Sequence, residues 1–338
     1  MEKNQKIDFV ISWVDGGDPE WQAEKDRYAN QGKRTVKSDS SQTRYRDWDN
    51  LRYWFRGVEK YAPWVNKIHF VTCGHVPEWL NLDAPKLNHV KHSDYIPKQY
   101  LPTFSSHPIE LNLHRIKGLS EQFVYFCDDF FLTSPVEKKD FFVNGLPCDS
   151  LEESPLSFSY VTPMNNVHMN DALFTGMHFD RRKCRKDNLK KWFNPKDPHA
   201  FVKNTMFSLL NDSGCFGFNV HHLPQAYKKS TLNEVWKADP EWLDLASSHR
   251  FRDAGDVSQC VFKFWQLCSG DFYPYNKRKF GRVFRSELEM DALCDAIRTS
   301  KYKTICINDA DEIDFEMARK QVNEAFESVF SEKSAFEL

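Results

Sequence analysis

Apolar positions run almost unbroken through three short stretches of the first third of the chain: IDFVISWV (7–14), KIHFVTCG (67–74) and QFVYFCDD (122–129). Runs of this length, each closed by turn or polar chemistry, predict strands buried on both faces. Between them the period changes. In DWDNLRYWFRGVEKYAPW, Leu51, Trp54, Phe55, Val58 and Tyr61 recur at helical spacing, with Asp47 or Asp49 as the cap and Pro63 as the stop. SSHPIELNLHRIKGL predicts a second helix, capped by Ser105 or Ser106 and stopped at Gly118. Strand, helix, strand, helix, strand predicts an α/β fold with a mainly parallel, right-handed sheet flanked by helices. Residues 28–46 break the pattern and predict a polar, basic loop containing Arg44 and Arg46.

The middle third predicts a mostly helical insertion, with helices near 180–192, 200–212, 240–248 and 256–268 and extended pieces at 155–162 and 217–222. YKTICIND (302–309) predicts a late strand that ends, like the third, in a polar pair. A final helix over 312–330 places Phe315, Ala318, Val322, Phe326 and Val329 on one face and packs on the body of the protein.

Composition narrows the function classes. Hydrophobic residues are 41% and charged residues 28%, as in a soluble globular protein. The formal net charge of −2 lacks the basic excess of a nucleic-acid binder. Nine cysteines contain no CxxC pair and predict buried thiols in a reducing cytoplasm, with neither a zinc site nor a disulfide framework. No signal-like apolar start or membrane-length run is present, which predicts a cytoplasmic protein, docked at a membrane only through a partner.

Ligands of open parallel sheets bind beyond the carboxyl ends of the strands, where DGGD, CGH and CDD fall. Adjacent Asp128 and Asp129 repel, and a divalent cation held against substrate phosphates relieves that repulsion; a plain turn or cap is the competing reading. Asn308 and Asp309 would add oxygen ligands if the two strand ends met. In FNVHHLPQAYKK either His221 or His222 offers a general base, or a structural hydrogen bond. Arg250 and Arg252 in HRFRD offer a phosphate clamp or a solvated patch. Arg52 with Arg56, and His114 with Arg115, fit phosphate neighbours, or surface charges, the arginines being paired to Asp49 or Glu59. Taken together, these groups suit phosphoryl chemistry.

As a set, the segments resemble the Stealth family. IDFVISWVDGGDPEW resembles its first conserved region, and RYRDWDNLRYWFRGVEKYAPWVNKIHFVTCGHVPEWL through QFVYFCDDFFL its second. HHLPQAYKK through HRFRDAGDVSQ resembles the third, and ICINDADE with FSEKSAFEL the fourth. The family contains bacterial capsular and cell-wall polysaccharide phosphotransferases and the catalytic core of the animal N-acetylglucosamine-1-phosphotransferase. The resemblance implies a GT-A-like (Rossmann-like) core of the bacterial type. It also implies transfer of a hexose-1-phosphate, UDP-GlcNAc being the first donor to consider, onto a glycan hydroxyl with release of UMP.

Position by position, the resemblance places the acidic pair on Asp128 and Asp129, the base-like histidine on His222 and the phosphate-binding arginine on Arg252. Asp129, Asn308 and Asp309 would hold Mg²⁺ or Mn²⁺. Trp13, Val14, Asp15 and Gly16 would form the nucleotide loop, with Arg44, Arg52, His114 and Arg115 on the donor side. Cys127 stands where many members have asparagine. The expected organisation is a single catalytic domain: a nucleotide-sugar-binding half (1–135), a helical acceptor-side region (136–300) carrying His222 and Arg252, and a closing strand and helix (301–338). The expected partners are a nucleotide sugar and a glycan acceptor, with no nucleic acid and peripheral membrane association only through a lipid-linked acceptor. A metal-dependent glycosyltransferase releasing UDP and a non-catalytic polysaccharide-binding protein are the competing functions.

Overall fold

A computed structural model describes residues 5–31, 45–156, 163–209, 217–311 and 313–338. The three apolar runs form β1 (Ile7–Ser12), β2 (Ile68–Thr72) and β4 (Gln122–Phe126). With β3 (Leu87–Lys91) they make the parallel part of a sheet in which β1 lies between β2 and β4, and β3 flanks β2. The fifth strand, β6 (Gln225–Lys228), comes from the middle third and runs antiparallel along β4. The expected mainly parallel sheet is therefore present, closed at one edge by a strand that sequence reading assigned to no element.

Period-two alternation divides the buried residues between the two faces. Phe9, Ile11, Phe70, Val124 and Phe126 enter one core, while Val10, Val71, Phe123 and Tyr125 enter the other. Helix Leu51–Tyr61 covers the first face with Leu51, Trp54, Phe55 and Val58, and the Trp54 ring meets Phe126 edge-on at 5.5 Å. Neither Asp47 nor Asp49 caps it. Asn50 is the N-cap residue and makes no capping bond, because Asp49 adopts a left-handed turn (φ 51°) and Asp47 accepts the Asp49 N–H. The second predicted helix is short (Ser106–Leu111), capped by Ser105 through the His107 N–H, and gives way to a 3₁₀ turn at Leu113–Arg115.

A smaller sheet decides the geometry of the cleft. Directly after Asp129 the chain enters β5 (Phe130–Leu132), which pairs antiparallel with β8 (Thr304–Asn308); β8 in turn runs parallel to β7 (Gly281–Arg285). The late strand thus ends beside the acidic pair, and the Ile307 N–H donates to the Asp129 carbonyl at 3.0 Å. The helix Phe315–Glu327 buries Ala318, Val322, Ala325 and Phe326, and Phe326 stacks on Tyr53 at 5.3 Å, so it packs on the body as expected.

The insertion is helical: Pro163–His178, Arg181–Asp187, Leu189–Trp192, Pro198–Ser208, Pro240–Ser248 and Cys260–Ser269. Most of 155–162 lies outside the described residues, and 217–222 contracts to a two-residue strand, Gly217–Phe218. Among the described residues all cysteines are free thiols.

Candidate active site

The carboxyl ends of β1, β4 and β8 open on one cleft of about 740 Å³. Trp13 and Val14 line it from the end of β1, Asp128 and Asp129 from the β4–β5 turn, and Asn308 and Asp309 from the end of β8. The insertion supplies His222 and Arg252 on its other walls. Segments more than two hundred residues apart in sequence therefore share one cavity.

Asp129 is the hub. Its Oδ2 accepts from Cys306 Sγ at 3.2 Å and lies 3.3 Å from His222 Nε2, while its buried Oδ1 has no hydrogen-bond partner among the described residues. An orphaned buried carboxylate oxygen carries a desolvation cost that a cation removes. Asp128 tells the same story from the cleft side. Enclosure by the cleft walls and repulsion from Asp129 push its carboxyl up from 3.8 to about 7. Asp129, His222 and Cys306 also bring one ligand atom each within 4.8 Å of one another.

The two adjacent histidines separate by environment. Burial and the nearby Lys263 ammonium drive His221 down to about 3, keeping it neutral. For His222 partial enclosure by the cleft walls acts in the same direction, but the charge and hydrogen bond of Asp129 outweigh it and hold the ring above the usual histidine value. His222 takes a left-handed backbone (φ 45°), and its ring stands edge-on to Phe130 at 4.9 Å. Leu223 is buried behind it, so the turn aims the imidazole into the cleft.

Arg252 extends beside helix Pro163–His178: Nη2 donates to Ser106 Oγ at 3.2 Å, and Nη1 lies 3.3 Å from Met164 Sδ. Its loop is fixed by Asp256, which accepts the Asp253 N–H (2.9 Å) and binds Nδ1 of both His107 (2.9 Å) and His249 (2.6 Å). Arg250 turns the other way, onto the Tyr28 ring at 4.9 Å.

Other expected donor-side residues stand elsewhere. Asp15 donates its N–H to His75 Nδ1 (3.0 Å) and accepts the Gly17 N–H (2.9 Å), forming a turn behind the cleft wall. Gly16 serves packing: a Cβ there would fall 1.8 Å from the Tyr45 carbonyl oxygen. Gly16→Ala is expected to destabilise the protein by about 1–3 kcal/mol through that clash, read as a lower urea midpoint; an unchanged midpoint would contradict it. Arg52 sits outside the cleft, paired to Asp49 (3.5 Å) and lying over Trp79 (5.7 Å). His114 is buried against Trp236, and burial drives it down to about 3. Arg115 bonds Asn112 Oδ1 at 2.9 Å and covers the same tryptophan. Arg44 lies outside the described residues.

Asp309 reaches the cleft as the partner of Arg46, whose guanidinium binds both of its oxygens (3.1 and 2.8 Å) while Trp48 Nε1 donates at 3.3 Å. Its carboxylate is thereby occupied, while Asp128, Asp129 and Asn308 line the cleft together with Asp47, Glu110 and Asp311. Sequence reading had not singled out Arg46, His107 or Glu110 for this cleft. For the last two a signal existed: His107 and Glu110 are three residues apart on one helix, which puts both on the face turned to the strand ends.

A mainly parallel α/β sheet with acidic, histidine and arginine groups converging beyond its strand ends defines an enzyme of the α/β class. Residues 5–33 match Stealth protein CR1, conserved region 1, and residues 44–148 match Stealth protein CR2, conserved region 2. The chain is 40% identical, over 100% of its length and 99% of the relative's, to the capsular polysaccharide phosphotransferase WcwK of Streptococcus pneumoniae. It is also 40% identical to the receptor polysaccharide phosphotransferase WefC of Streptococcus oralis, over 98% of this chain and 99% of that one. Identity to the exopolysaccharide phosphotransferase cps2G of Lactiplantibacillus plantarum is 33%, over 98% of this chain and 96% of the relative. The chain belongs to the Stealth family. A crystal structure of the galactosyltransferase LgtC with donor and acceptor sugar analogs gives a TM-score of 0.36 at 9% identity, covering 94% of this chain and 95% of that one, too loose a likeness to argue from.

Proposed function

We propose that this protein is a polysaccharide phosphotransferase that moves a hexose-1-phosphate from a nucleotide sugar, UDP-GlcNAc being the first to test, to a glycan hydroxyl in capsule or exopolysaccharide synthesis. The observation that carries this reading is the convergence of Asp128, Asp129, His222 and Arg252 in one cleft. The names of the full-length relatives support phosphotransfer as the reaction class.

In this reading His222 takes the proton of the acceptor hydroxyl, and Asp129 orients the ring and stabilises the imidazolium that results. The acceptor oxygen bonds to the phosphorus next to the sugar. The bond from that phosphorus to the oxygen bridging to the nucleotide phosphate breaks, and UMP leaves. The sugar C1–O bond stays intact, so the anomeric configuration of the donor is kept. Arg252 stabilises charge on the transferred phosphoryl oxygens. Trp13 and Val14 form the wall beside the nucleotide. The orphaned Asp129 oxygen and the raised Asp128 carboxyl fit a divalent cation, Mg²⁺ or Mn²⁺, which this pair and Asn308 would hold. Such a cation supplies charge neutralisation at the donor pyrophosphate. Among the described residues no helix is long and apolar enough to cross a membrane.

The pKa shifts fix a pH dependence. Asp128 is raised, so the metal-free protein keeps this proton where the unfolded chain has lost it, and Asp128 costs stability as pH climbs from about 4 to about 7. Cation binding requires the ionised form. Mg²⁺ is therefore expected to bind more tightly as pH rises through about 7, and Asp128→Asn to flatten that dependence, measured by titration calorimetry. A wild-type affinity independent of pH across this window would rule out the ligand role of Asp128.

A further inference from the structure

One surface of the helical insertion is built the wrong way round for water. Helix Pro198–Ser208 buries Asn204, whose amide donates to the carbonyls of Leu151 (2.9 Å) and Trp192 (2.7 Å), while its apolar residues face out. Phe201, Val202 and Met206, with Leu209 just past its end, fall within an arc of about 140° at 100° per residue. Val202 is 55% exposed, Met206 61% and Leu209 83%. Leu189, 54% exposed, belongs to the short helix just before it.

The chain beside this face is strongly basic. Residues 181–203 carry nine Lys or Arg against two Asp, a net of +7 in a protein whose total is −2. Arg182, Lys183, Lys186, Lys190 and Lys196 are exposed. The two features are joined physically, since Arg181 Nη2 donates to the Phe207 carbonyl at 3.3 Å and Asn204 holds the Trp192 carbonyl.

We infer that this face docks on an anionic lipid bilayer. Exposed apolar side chains bordered by lysine and arginine are the arrangement that lies at a headgroup boundary, the apolar groups entering it while the cations meet lipid phosphates. A second copy of the chain is disfavoured as the occupant, because a self-complementary contact would bring the exposed Arg182, Lys186, Lys190 and Lys196 of one copy against those of the other. Nucleic acid would leave the apolar row unmatched. Helix Pro163–His178 runs from the cleft, which Met164 and His168 line, to the start of the basic stretch at Arg181, and Leu173 and Met177 are exposed along it. The inference stands apart from the reaction proposed above.

The test is vesicle flotation of the full chain with phosphatidylcholine alone and with added phosphatidylglycerol. Binding is expected only to the anionic vesicles, weakening with salt. Val202→Glu/Met206→Glu should abolish it, and Lys186→Gln/Lys190→Gln should reduce partitioning about 30-fold. Leu288→Glu, at an exposed site on helix Ser286–Arg298, should leave it unchanged. Thermal melts establish that each variant is folded. No flotation, equal binding to both vesicle types, or binding that survives both double substitutions would overturn the inference. So would a concentration-dependent dimer that Val202→Glu/Met206→Glu converts to monomer.

Discussion

His222→Ala is expected to lower kcat by about 10²–10⁴-fold with KM for the donor little changed. The geometry gives the reason. Nε2 faces Asp129 at 3.3 Å, so the carboxylate stabilises the charge the ring acquires when it takes a proton. Asp129 also holds the ring above the ordinary histidine value, placing the base limb of the rate profile above 6.5, and the rate should climb as the ring loses its proton. His222→Ala should remove that limb as well as the rate. The substitution spares the fold, because the side chain is about half exposed and an alanine leaves Leu223 in its core position. A loss below about tenfold, or a pH profile of unchanged shape, would transfer the role of base to one of the aspartates.

Asp129→Asn is expected to cost about 10³-fold in kcat, equivalent to about 4 kcal/mol. The side chain is nearly isosteric, so the Cys306 contact and the β5–β8 pairing survive, while the charge that orients His222 and attracts the cation is lost. A second readout separates this from a packing defect. Mg²⁺ should raise the melting temperature of the wild-type protein and leave that of Asp129→Asn unmoved. The metal-free variant should melt no lower than the metal-free wild type, since substitution removes the repulsion that raises the Asp128 carboxyl. Retained Mg²⁺ stabilisation in Asp129→Asn would place the cation elsewhere.

The parallel core was legible because its strands are buried on both faces, which turns each into an unbroken apolar run. The small sheet was not, because β5 and β8 are paired by contacts between residues about 175 positions apart, and no local pattern encodes such a meeting. That pairing converts two separate polar strand ends into one site. The acidic pair, His222 and Arg252 were legible as chemistry in their local sequence settings, and their convergence required the insertion to fold back over the sheet. Arg52, His114 and Arg115 show the converse. A basic residue next to an aromatic reads the same in sequence whether it faces a phosphate or packs on Trp79 or Trp236, and burial decides between them. Arg46 was hidden in a loop whose polar composition says nothing of the Asp309 carboxylate it grips across 263 positions.

The central claim is that phosphorus, not sugar carbon, is attacked. The measurement that tests it most directly incubates the purified protein with UDP-GlcNAc, Mg²⁺ and a panel of short glycans and quantifies the nucleotide released. The account predicts metal-dependent UMP, formed in step with a phosphodiester-linked product and lost in Asp129→Asn and His222→Ala. Release of UDP together with a glycosidic product would contradict it.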